Sequence, residues 1–366
     1  MRILAYFFKE VSVNFFGVLT VLLLVFLSGR LVKNLAKAAS GQFPSDIIFS
    51  ILIFRLPEFL EILLPLAFFL GVMMSFGRFF VESEMIVLSA CGFSRRKLIS
   101  YLLICALPIY LVFNSITHYF LPVGLKNYDA LWENPNNTMS FSTFVAGSFK
   151  SLGKSGLLIY AGSLNDSKTV IQDVFVVMDK ANKDQGIDLI RAEEARLIVD
   201  QDHNQFVELI DGNRVQNDNE DLAYTITEFK KFGYVIDFDH FTKGKSDNVN
   251  TKTSIQLLSD PSRQSQIQLA WRMSLPLMIL IIVLIGFSLS ETNHRQGRYA
   301  KLFPGIIIYF IYFGVLSAGY NLVLGNKISI FKGLGLVHLV FLCFALVLIY
   351  KHECYQWYRS LTRASS

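Results

Sequence analysis

The 366-residue chain is 52% apolar, with a mean hydropathy of +0.43 and a formal net charge of +5. Apolar content this high, gathered into blocks, excludes an ordinary soluble protein and identifies an integral membrane protein. The charge is uneven: residues 123–266 hold 15 basic and 21 acidic side chains, a balance of −6, and the remainder carries +11. That surplus matches anionic lipid headgroups and gives no reason to invoke nucleic acid.

Six stretches have membrane-crossing length, 11–32, 54–79, 98–121, 269–289, 302–324 and 333–350. The first is too long for a removable signal peptide, and no small-x-small cleavage site follows it. The expected organisation is a membrane half at 1–122, an inserted domain at 123–266 and a second membrane half at 267–366. Lys and Arg near the span ends number twelve on the side of the termini and six on the other. Both termini are therefore expected in the cytoplasm and the insert outside it.

Residues 1–10 place Leu4, Phe7, Phe8 and Val11 on one helical face, which suits either an interfacial elbow or a plain extension of span one. At the far end of that span Arg30, Lys33 and Lys37 recur at i, i+3 and i+7 and make one basic stripe, on the side where basic residues are disfavoured. Two readings stay open: snorkelling to headgroups, or docking of an anionic amphiphile. Near the start of span two, Arg55 and Glu58 are spaced to pair, and Pro57 is expected to reset the helix start.

The connection to span three reads GRFFVESEMIVLSACGFSRRK from Gly77. It predicts a short helix against the membrane, with Glu82 and Glu84 in its first turn, Gly92 as its stop and Ser94 as the cap of the next span. Such a helix is too small to be a catalytic unit and well suited to being held by a partner.

Between 140 and 239 the pattern changes to period two and short apolar runs, such as VIQDVFVVMD, ARLIVDQ, QFVELIDGN and FGYVIDF. Asp211-Gly212 is expected to be a hairpin turn, and the strands to form a two-layer sandwich or jelly roll. Span four opens with QLAWRMSLP, where Trp271 is a typical interfacial aromatic and Arg272 lies close enough to the end to snorkel. Pro304, Gly305, Gly314 and Gly319 allow span five to kink or pack closely.

Chemistry of an enzyme is missing. Gly153-Lys154-Ser155 mimics a phosphate loop, but Ser148 stands where its first glycine belongs. The six histidines form no metal signature, no nucleophile elbow occurs, and Cys91, Cys105, Cys343 and Cys354 all fall outside the insert. No catalytic residue, metal or cofactor is assigned.

The segment FFVESEMIVLSACGFSRRKL, with PEFLEILLPLAFFLGVMMSFGRFF before it, QLAWRMSLPLM at span four and NHRQGRYAKLFPGIIIY at span five, resembles the LptF/LptG permease family of lipopolysaccharide export. The Glu-Ser-Glu start, the Ala-Cys-Gly end and the Arg-Gln-Gly-Arg loop are closer to the LptF branch than to LptG. The resemblance implies a six-span subunit of the bacterial inner membrane that carries a periplasmic β-jellyroll and pairs with an LptG-like paralogue. It also implies binding to a dimeric LptB-like ATPase, extraction of lipopolysaccharide, and delivery to a bridge of jellyrolls formed by LptC and LptA. Residues 82–91 become the coupling helix, with Glu84 and then Glu82 engaging the ATPase beside Met85 and Leu88, and the stripe of Arg30, Lys33 and Lys37 meets the lipid headgroup. Lifting such a lipid from a bilayer costs about 0.8 kcal/mol per exposed CH₂, so a separate ATPase is expected to drive it. The competing reading is a scaffold that links an ATPase to an outer partner without moving lipid.

Overall fold

The computed structural model describes residues 2–39, 43–133, 146–152, 157–165, 170–179, 187–199, 205–217, 224–235, 248–291, 299 and 301–364. Its helices are α1 (Arg2–Ala39), α2 (Ile48–Val81), α3 (Glu84–Ala90), α4 (Arg95–Ser115) and α5 (Leu121–Glu133), then α6 (Ser254–Ser259), α7 (Arg263–Leu289), α8 (Leu302–Leu324) and α9 (Leu336–Ala364). Between α5 and α6 lie six strands: β1 (Ser148–Leu152), β2 (Leu157–Leu164), β3 (Val170–Asp179), β4 (Ile187–Val199), β5 (Gln205–Asn217) and β6 (Tyr224–Val235). The chain divides into two compact units, one of residues 1–28, 54–125 and 249–366, the other of residues 29–53 and 126–248.

Six helices are long and apolar enough to cross a membrane: Arg2–Ala39, Ser45–Val81, Arg95–Trp132, Arg263–Leu289, Leu302–Leu324 and Phe331–Lys351. Each contains or closely matches one of the six apolar stretches. The first helix is unbroken from Arg2, so the N-terminal residues extend span one and form no elbow. Phe7 and Val11 are buried while Phe8 is 43% exposed, which narrows the inward face to one stripe. Pro57 and Pro65 both lie inside α2, and the expected restart at Pro57 does not occur. The turn ahead of Pro57 is held by packing, with Ile48 and Ile51 buried beside Phe43 and Ile47.

Spans two and four form the centre of the helical unit, with 78% and 72% of their most apolar windows buried, against 11–28% for the other four. Both are apolar all round, so neither has a face to offer water. Phe76 of α2 meets Phe287 of α7 edge to face at 5.2 Å. Glycines then set the closest approaches. A Cβ on Gly319 would lie 2.1 Å from the Gly333 carbonyl oxygen, so α8 needs its glycine there, whereas one on Gly305 would lie 2.5 Å from Met73 Sδ, near the end of a flexible side chain that can give way. Gly314 faces open space instead.

The strands make one sheet in chain order, β1-β2-β3-β4-β5-β6, every neighbouring pair antiparallel. The chain is thus a six-span helical membrane protein with an inserted all-β domain; its described strands form a meander, with no jelly-roll crossover among them. Asp211-Gly212 is not a hairpin: β5 runs straight through it. The register skips Gly162, Asp173, Glu193, Asp211 and Lys230, which fall in one row across five strands. In that row Asp173 and Asp211 take left-handed φ of 50° and 48°, and the inward face changes parity: Ile171 and Val174, or Ala192 and Ala195, are buried together. Asp tolerates that conformation better than most residues, and Gly212 lets the Arg191 carbonyl oxygen approach, since a Cβ there would lie 2.3 Å from it. The dipeptide that signals a turn by local chemistry serves here as a crease within a strand.

The α8 contact yields a test. Gly319→Val should force spans five and six apart, at a cost of about 2 kcal/mol or more, and lower the thermal midpoint of the detergent-solubilised chain by several degrees. Gly314→Val, which meets nothing within 4 Å, should leave the midpoint nearly unchanged.

Candidate functional site

The short helix α3 joins α2 to α4. It begins at Glu84, two residues later than the sequence suggests, because Ser83 adopts φ 64°, ψ 8° and breaks the helical path from α2. Glu82 therefore sits in the turn before α3, its carboxylate 3.8 Å from the Arg78 guanidinium. The other end forms as expected. Gly92 has φ 83°, the amides of Gly92 and Phe93 return to the carbonyls of Ser89 and Leu88, and Ser94 Oγ accepts from the Lys97 amide to start α4.

Of the residues assigned to the partner contact, Met85 points inward and is 5% exposed, and Leu88 is partly buried against the same core. The apolar side chains that α3 shows to the outside are Ile86 and Val87, 64% and 60% exposed. Glu84 accepts a hydrogen bond at Oε1 from the Tyr6 hydroxyl at 2.9 Å. That hydroxyl in turn accepts from Arg78 Nη2 at 2.8 Å, and Arg78 Nη1 lies 3.3 Å from Glu10. One turn further along, Asn14 Nδ2 donates to Ser75 Oγ at 2.9 Å. Tyr6, Glu10 and Asn14 on α1 thus face Ser75 and Arg78 of α2, with Glu82 just past its end, two polar stripes of helical spacing that sequence reading had missed. Ion pairs that keep part of their surface in water are each worth about 0–1 kcal/mol, so this seam fixes geometry more than it stabilises. On the other flank Arg95, at the start of α4, pairs with Glu291 at 3.1 Å.

Arg30, Lys33 and Lys37 occupy the last ten residues of α1, Lys33 exposed and the other two half-buried. The arginine and glutamate near the start of span two do pair, Arg55 Nε and Nη2 reaching the two Glu58 oxygens at 2.7 and 2.9 Å. Arg295 and Arg298, and the loop motif that contains them, lie outside the described residues, as does Gly153-Lys154-Ser155.

Arg272 departs from expectation most. It does not snorkel; it is fully buried, and its guanidinium donates to the carbonyls of Asn250 at 2.7 Å and Lys252 at 2.8 Å and to Ser254 Oγ at 3.4 Å. Ser254 also meets His118 Nδ1 at 2.8 Å, so the segment entering span four is tied to the π-helical turn Ile116–Phe120 of span three. Beside this node Asp260 accepts from the Ser262 amide at 2.9 Å, the Ser265 hydroxyl at 2.7 Å and Lys252 Nζ at 3.0 Å. Those donors, the Ser262 amide first, hold its carboxyl well below the usual carboxylate range.

The order of these parts agrees with a family match. A model of the lipopolysaccharide export system permease LptF/LptG family matches residues 5–351. The chain belongs to this family. Among LptF/LptG proteins it is similar to the lipopolysaccharide export system permease protein LptF of Escherichia coli strain K12, 24% identical over 348 residues that cover 95% of this chain and 94% of the relative. The LptF protein of Shigella flexneri matches to the same extent. The LptG protein of Escherichia coli strain K12 is 28% identical over 166 residues, covering 40% of this chain and 45% of the relative. The LptF/LptG match runs through α3, all six strands and all six spans.

The Asp260 node predicts a pH dependence. Its folded-state carboxyl is depressed, so the stability it contributes is complete above the unfolded value of about 4 and is lost as pH falls below that toward the folded value. Thermal unfolding of the chain and of Asp260→Asn, compared from about pH 7 to about pH 3, should show a gap that narrows in the acid range. A gap of constant size would remove the carboxylate's charge from the account.

Proposed function

We propose that this chain is the LptF-type subunit of an ABC exporter that extracts lipopolysaccharide from the inner membrane and passes it to a periplasmic bridge of β-domains. The observation that carries the reading is the family match across residues 5–351, which includes the connection between spans two and three as well as the insert. With no ATP-binding motif of its own, the chain takes its energy from a cytoplasmic LptB-like ATPase dimer and works beside an LptG-like paralogue. By span count, an N-terminus in the cytoplasm puts α3 on the cytoplasmic side and the β insert in the periplasm.

On this reading α3 is the coupling helix. Its contact surface is Glu84 with the exposed Ile86 and Val87, Glu82 stands at its edge, and Met85 and Leu88 anchor it from behind. The basic stripe of Arg30, Lys33 and Lys37 meets the phosphates of the lipid at headgroup level, each cation worth roughly 1 kcal/mol near an anionic surface. Beyond the membrane, the edge strands β1 and β6 carry exposed Phe149, Tyr224 and Ile226, a setting for strand addition by LptC-like and LptA-like neighbours.

Two variants separate the roles in a reconstituted exporter. Arg30→Ala with Lys33→Ala should slow ATP-driven lipid release on the order of tenfold while the ATPase stays bound. Release at the normal rate would favour a scaffold over a permease. Glu84→Ala should detach or uncouple the ATPase; an intact complex with normal transport would reject α3 as the coupling element.

A further inference from the structure

We propose that Tyr6 is a positioning residue that holds the Glu84 carboxylate in the orientation its ATPase partner takes; the inference rests on the reading of α3 as the coupling helix. A phenol suits this place because it donates and accepts at once. Its hydroxyl accepts from Arg78 Nη2 at 2.8 Å and donates to Glu84 Oε1 at 2.9 Å, so one oxygen atom joins α1, α2 and α3.

Both sides of that oxygen are fixed. The Tyr6 ring packs 5.4 Å from Phe79 and 6.2 Å from Phe7, and the guanidinium is held between Glu10 at 3.3 Å and Glu82 at 3.8 Å. The seam continues through Asn14 and Ser75, which accepts from Asn14 and donates to the carbonyl of Gly71 at 2.8 Å. By contrast α3 has a weak joint on its own side. Ser83, in the left-handed region, interrupts the helix between α2 and α3, so α2 does not by itself dictate where Glu84 points. Met85 anchors the back of α3 in the core; the Tyr6 hydroxyl sets the rotation of the exposed face about that anchor.

The contact also divides the carboxylate. Oε1 is committed to Tyr6, and among the described residues no hydrogen bond reaches Oε2. Around the single Arg78 guanidinium stand the carboxylates of Glu10 and Glu82, with Glu84 one hydroxyl away, an excess of negative charge that a cationic group on the partner would meet. Preorganising Glu84 spares the partner the cost of ordering it on association.

A double-mutant cycle on the complete membrane complex in nanodiscs, titrated with the separately purified ATPase, tests this. Tyr6→Phe keeps the ring packing and removes only the hydroxyl. It should weaken ATPase binding about tenfold, as expected for a hydrogen bond to a charged group. Glu84→Gln should weaken it at least as much, and the double variant should bind no worse than Glu84→Gln alone. Additive losses, or normal binding by Tyr6→Phe where Glu84→Gln is impaired, would overturn the role of Tyr6 and leave α3 as the coupling helix. Normal binding by Glu84→Gln would instead sink the coupling reading, and the inference with it.

Discussion

A guanidinium inside an apolar bundle must find oxygen atoms, and Arg272 finds them on the segment that leads into its own helix. Two carbonyls, of Asn250 and Lys252, and the Ser254 hydroxyl take N–H groups of Nη1 and Nη2. An intramembrane arginine without such partners costs several kcal/mol. A lysine, with one point donor, does not reproduce the fork that spans Nη1 and Nη2. Burying this side chain therefore dictates the path of residues 249–254, and through Ser254 and His118 it couples the return of the chain to the π-helical turn within span three.

Around it the helical unit is built unevenly. Spans two and four carry the core, where Phe69, Met73, Phe76 and Phe287 interlock with glycines of α7 and α8. The remaining four spans keep most of their apolar surface outside, which in a bilayer means lipid or another helix. Several polar side chains meet in seams. Tyr312 and Ser274 both hydrogen-bond to His338, linking spans four, five and six, and Asn14 with Ser75 links spans one and two. Each seam satisfies buried donors and also fixes the register of one helix on the next, a register that apolar packing alone leaves looser.

Much of this was legible in the residues. Long apolar blocks announce membrane helices because backbone groups in hydrocarbon have no other partners, and Gly92 and Ser94 mark their turn because a left-handed stop and a hydroxyl cap are local chemistry. The contact pairs were harder. Tyr6, Glu10 and Asn14 repeat every four residues, and so nearly do Ser75, Arg78 and Glu82, but a stripe shows its meaning only when its opposite is known to lie alongside. Arg272 misled because a cation nine residues into an apolar helix looks able to reach headgroups, and nothing in its own neighbourhood reveals carbonyls twenty residues upstream. Asp211-Gly212 misled for the reverse reason: the dipeptide encodes the correct backbone angles, but the crease it makes is shared with neighbouring strands, a property of the sheet.

Where Gly319 meets Gly333, main chain touches main chain with no side chain between them. A Cβ on Gly333 would also meet Val323 Cγ2 at 2.3 Å, so neighbouring side chains close the seam from its flank. Spans five and six are thereby brought backbone to backbone at that level, an approach that any side chain larger than hydrogen would prise open.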